Sequence, residues 1–94
     1  MPPFLASQRQ AVLALAARHG LRNVRVFGSS LRGEDGPNSD VDLLVTVEPG
    51  RTLLDVIGFE QDVEDLLGRP VDVVSEAGVS PYLRDRILAE AAAL

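Results

Sequence analysis

Two rhythms of apolar positions run along the chain. Between residues 3 and 18, Leu5, Val12, Leu15 and Ala16 share one face at helical spacing. Pro2 and Pro3 suit the start of that helix, and Gly20 stands where a C′ glycine ends it. Residues 24–27 read as a short strand. Residues 28–39 are polar, with three Gly and one Pro, and read as a loop with a brief helical turn. Residues 41–47 form the strongest strand pattern, stopped by Pro49-Gly50. In the helix expected over 52–67, Leu53, Val56, Phe59, Val63 and Leu66 are spaced for one buried face. Gly58 weakens it by about 1 kcal/mol relative to Ala, and Gly68 ends it. Residues 71–75 read as a third strand. Residues 81–93 read as a last helix, with Leu83, Ile87, Ala91 and Leu94 in line.

The order is therefore α-β-(loop)-β-α-β-α, an α/β (α+β) class with a small three-stranded sheet and room for a fourth short strand. Strands joined through a helix run parallel, so the second and third strands begin at the same end of the sheet.

The 94 residues suit one domain, residues 1–94, with no repeat or linker. At 46% hydrophobic and 24% charged, wholesale disorder is excluded. Without Cys and with one His, thiolate sites and disulfides are excluded, and a His-based zinc site is disfavoured. Fourteen acidic residues against nine basic ones, all Arg, give a net charge of −5. That balance disfavours direct nucleic-acid binding, which relies on neutralising phosphates. No apolar run approaches the ~18–20 residues that span a bilayer, and the first residues lack a signal-peptide pattern. The expected compartment is the cytoplasm. A chain this short buries roughly 60–70% of its unfolded surface. Much of any substrate pocket is therefore expected to come from a partner.

Candidate chemistry centres on residues 28–45. Asp40 and Asp42 alternate at the start of the strongest strand, so both are aimed to one face. Such close like charges repel, and a divalent cation relieves the conflict. Mg²⁺ takes one or two carboxylates, with water and phosphate completing its shell. The parallel crossover brings Asp72, second in the third strand, to the same end, giving metal ligands Asp40, Asp42 and Asp72 for one or two ions. Gly28 allows close backbone approach, and Ser29 and Ser30 open a turn whose N–H groups can hold phosphate. For that turn to meet Asp40 and Asp42, the first two strands must be antiparallel and the sheet mixed.

Gly28-Ser29, ten intervening residues and Asp40-Val41-Asp42 before an apolar run resemble the signature of the DNA polymerase β-type nucleotidyltransferase superfamily. The short length and Arg32-Gly33 resemble its minimal nucleotidyltransferase (MNT) branch, many of whose members are antitoxins encoded beside a HEPN-domain RNase toxin. The resemblance implies that Gly28 and Ser29 hold the β- and γ-phosphates of a nucleoside triphosphate, here ATP. It further implies Mg²⁺ on Asp40 and Asp42, completed by Asp72, which also helps activate an attacking hydroxyl. The implied acceptor is a hydroxyl, typically of Tyr, on the HEPN toxin, which adenylylation silences.

Arg32, one turn beyond Ser29, is a further candidate for the triphosphate. Glu34 and Asp35 read as solvated loop residues. His19 reads as a cation at a helix C-terminus. The sparse aromatics Phe4, Phe27, Phe59 and Tyr82 offer no base-stacking platform. Two other functions remain open: an antitoxin that neutralises by docking alone, and nucleotidyl transfer to a small molecule. A homo-oligomer or a hetero-oligomer with the toxin also stays open.

Overall fold

The structure, a computed structural model, describes residues 3–28 and 40–94. Chain order is α1 (Pro3–Ser7), α2 (Arg9–Arg18), β1 (Leu21–Phe27), β2 (Val41–Val47), α3 (Leu53–Leu67), β3 (Val71–Ser75), a 3₁₀ turn (Glu76–Gly78), α4 (Pro81–Glu90) and β4 (Ala92–Ala93). The four strands lie in the order β3-β2-β1-β4. β1 is antiparallel to β2 and to β4, whereas β2 and β3 are parallel. The sheet is therefore mixed, as the candidate chemistry required. Among the described residues, no helix is long and apolar enough to cross a membrane.

Alternation along β2 sends Val41, Leu43 and Val45 into a core shared with Val12 and Ala16 of α2 and Val56, Phe59 and Val63 of α3. Asp42, Leu44 and Thr46 therefore take the opposite face. In β1 a one-residue register shift falls between Arg22 and Arg25, around Asn23 at φ 54°. Asn tolerates this left-handed conformation better than most residues. The extra residue resets the alternation, so Leu21 and Val24 both reach the core and Phe27 comes opposite Asp42.

The expected helix over 3–18 is two helices, interrupted at Gln8, whose N–H donates to the Leu5 carbonyl at 3.1 Å. The first piece brings the Phe4 ring beneath the Arg69 guanidinium, 3.7 Å from its centroid. That pairing joins distant parts of the chain and leaves no periodic mark. The expected last helix stops at Glu90, because the chain turns extended at Ala91 and pairs with the open edge of β1. Leu94 then donates its N–H to the Val24 carbonyl at 3.0 Å and enters the core, while the Leu94 carbonyl accepts from the Arg9 side chain. Edge pairing and burial of Leu94 outweigh the helix preference of the alanines.

Thr52 and Asp55 form a capping box at the start of α3: Thr52 Oγ1 accepts from the Leu54 N–H, and Asp55 Oδ2 from the Thr52 N–H. The Thr52 N–H bond is the main cause holding the Asp55 carboxyl below its ordinary range, with Arg51 assisting. Leu53 was expected on the buried face but is 70% exposed, like its neighbours Leu54 and Ile57. The core contacts of α3 begin at Val56, and its first turn faces solvent.

His19 closes α2, and its Nε2 lies 2.7 Å from Asp62 Oδ2 on α3. This ring explains Gly58: a Cβ there would lie 2.9 Å from His19 Cε1. Gly58→Ala is expected to give no net stabilisation, despite the roughly 1 kcal/mol favouring Ala in a helix, because His19 must be pushed from Asp62. Denaturant unfolding checks this; a full 1 kcal/mol gain would show the contact to be immaterial.

Candidate active site

The site forms where the start of β2 meets the end of β1. Antiparallel pairing puts Phe27 opposite Asp42, and parallel pairing puts Asp42 beside Asp72. Gly28 follows at φ 74°, and a Cβ on it would run into the Asp42 carboxylate. Glycine here serves two purposes: it adopts the left-handed turn and leaves space for the aspartate. The Gly28 N–H donates to Glu90 Oε1 at 3.2 Å.

β3 is an edge strand, yet two of its outward amides are occupied. The Val71 and Val73 N–H groups donate to Glu64 Oε2 (3.2 Å) and Glu60 Oε2 (3.0 Å) of α3. These carboxylates block the edge against a further strand and fix the backbone on both sides of Asp72, which is exposed. The Val41 N–H donates to the Pro70 carbonyl at 3.0 Å, tying together the starts of β2 and β3.

The expected trio is thus a register pair, Asp42 and Asp72, with Asp40 exposed immediately before β2. Ser29, Ser30 and Arg32, and the helical turn expected after Gly28, lie outside the described residues. Glu60, Glu64 and Glu90 were not singled out by sequence reasoning. The four-residue spacing of Glu60 and Glu64 on the predicted helix was the available signal for those two; Glu90 had none.

Among the described residues, no three His, Cys, Asp or Glu side chains already close on a metal-sized site. Mg²⁺ does not require three, since one or two carboxylates suffice when water and phosphate complete the shell. The Asp42–Asp72 pairing, beside a backbone turn stripped of its Cβ, supplies oxygen donors of the type this hard cation prefers. The residues fit.

At the far end of the same strands, Arg25 Nη2 bonds Glu76 Oε2 (3.0 Å) and Thr46 Oγ1 (3.4 Å). Arg84 Nη2 approaches Glu76 Oε1 at 3.5 Å. The Arg25 hydrogen bond is the leading cause holding the Glu76 carboxyl below its ordinary range; burial opposes it. A cavity of about 280 Å³ opens there, lined by Thr46, Ser75, Glu76 and Arg84 among others. It lies at the opposite end of β2 and β3 from Asp42 and Asp72, so it is not the carboxylate site.

The fold and its relatives define a nucleotidyl-transferring enzyme. The chain belongs to the nucleotidyltransferase domain family, whose description matches residues 9–94. It is 41% identical over 76 residues to the protein adenylyltransferase MntA of Thermococcus cleftensis, covering 81% of this chain and 77% of that protein. A solved structure provisionally assigned as a minimal nucleotidyltransferase is 54% identical, with a TM-score of 0.87, covering 96% of this chain and 92% of the other. A toxin–antitoxin crystal structure with AMP-PNP superposes with a TM-score of 0.77 at 21% identity, covering 89% and 69%. At that identity the likeness shows the fold alone.

Proposed function

We propose that this protein is a Mg²⁺-dependent adenylyltransferase and antitoxin, which moves AMP from ATP to a Tyr hydroxyl of a cognate HEPN RNase toxin. The observation that carries the reading is Gly28 pressed against Asp42, with Asp72 alongside in register. A phosphate-approachable turn and metal-binding carboxylates then serve one reacting centre. The adenylyltransferase name of the 41% identical relative supports protein as acceptor. The fold neighbour is a toxin–antitoxin assembly with AMP-PNP, so this fold accommodates a nucleotide and a toxin in that protein, and both are part of what is proposed for this chain.

In this reading the backbone at Gly28 and Ser29 holds the β- and γ-phosphates, aided by Ser30 and Arg32. Asp40, Asp42 and Asp72 would hold Mg²⁺, which supplies charge neutralisation at the phosphates. Asp72 accepts the proton of the attacking hydroxyl. The hydroxyl oxygen bonds to the α-phosphorus as the bond from that phosphorus to the pyrophosphate oxygen breaks. Such chemistry asks for positioning and electrostatics more than covalent help, which suits a small chain that borrows its acceptor surface.

The test is incubation with Mg²⁺, ATP labelled at the α-phosphate, and the toxin. The expected result is a stable AMP adduct on the toxin and loss of its RNase activity. Label found only on small molecules would redirect the reading to another acceptor. Full neutralisation in cells by an Asp40→Ala/Asp42→Ala variant would reduce the role to docking.

A further inference from the structure

The short strand β4 does more than cover an edge. Its register pairs Arg25 with Ala93 and Val26 with Ala92. Continued outward along both strands, that antiparallel register sets Gly28 against Glu90. The hydrogen bond from the Gly28 N–H to Glu90 Oε1, at 3.2 Å, realises this pairing through the side chain. Gly28 is therefore flanked by two carboxylates, Asp42 from β2 on one side and Glu90 from the end of α4 on the other.

We propose that Glu90 is an intramolecular competitor for nucleotide: its carboxylate occupies the Gly28 N–H until a phosphate oxygen displaces it, and returns to help expel pyrophosphate. This rests on Gly28 holding phosphate. An N–H carries a single proton, so a carboxylate in hydrogen-bonding position and an incoming phosphate contend for it. They also repel as like charges in a half-buried setting, where screening is weaker than in bulk water. The exchange of one anion for another at an unchanged donor lowers nucleotide affinity without removing any binding group. Glu90 reaches this point only because the chain leaves the helix at Ala91 and re-enters the sheet.

Glu90→Gln tests the competition, since the amide oxygen still accepts the Gly28 N–H while the charge is gone. Titration of the full chain with Mg²⁺ and AMP-PNP should show affinity rising about threefold to tenfold, the scale of one partly screened charge. The gain should shrink with added salt. In the wild type, the Gly28 amide and the Glu90 side-chain carboxyl resonances should move together on the same titration, a readout that does not depend on any variant folding. Unchanged or weaker binding by Glu90→Gln, or a Glu90 resonance indifferent to nucleotide, overturns the competition and leaves the nucleotide site standing. Wild-type protein that binds no nucleotide overturns both.

Discussion

Asp42→Asn is expected to lower the proposed adenylyl transfer by about a thousandfold, the upper range for losing one group that stabilises transition-state charge, while leaving the protein folded. The side chain keeps its shape and one carbonyl oxygen, so packing is preserved, but the charge offered to a cation is lost. Asp42 stands on the sheet face opposite the main core and is only partly buried, so the expected stability change is under about 1 kcal/mol. The expected loss is large because, in the proposed site, Asp42 would hold the cation that neutralises negative charge accumulating in the transition state. Rates measured with labelled ATP and the toxin, beside a denaturant melt, separate the two effects. A variant retaining a tenth of wild-type activity would remove Asp42 from the chemistry.

Gly28→Ala is expected to lose about a hundredfold in the proposed transfer through a different route. At φ 74° an alanine pays roughly 1–2 kcal/mol in backbone strain. Its methyl also lands in the Asp42 carboxylate, which must rotate away from its place beside Asp72. Gly50 provides the control. It has φ 85° with open space where a Cβ would go. Gly50→Ala should therefore lose a similar amount of stability and keep its activity. Equal activity losses in the two variants would mean that backbone strain alone, and not the crowding of Asp42, was responsible.

The strand pairings that set Gly28 near Asp42 and Asp42 beside Asp72 were legible in the sequence. Asp40 and Asp42 stood as an alternating pair at the head of an apolar strand, which marked them as candidate metal ligands. Placing the Gly28 turn beside them demanded an antiparallel first pair, and the helix between the next two strands demanded a parallel second pair. Both hold. The helix boundaries at Thr52 and Gly68 were equally visible, because capping boxes and left-handed glycines are local devices.

The misreadings share one cause. Residues 81–93 carry a helical apolar line, yet the last of them abandon the helix for the free edge of β1, a partner far away in sequence. Leu53 fits the apolar line of α3 but sits in a turn that projects to solvent. Gln8 interrupts a helix whose propensity runs straight through it.

The sequence by itself determined the order of the first three strands and of the helix between the second and third, and the strand that bears Asp42, since each is written in spacing a few residues long. Only the tertiary structure decided that Glu60 and Glu64 clamp the backbone around Asp72 and that Glu90 reaches Gly28. Those contacts depend on which strand edges are left unpaired once the core has closed, and an unpaired edge is a property of the whole sheet, with no local pattern to announce it.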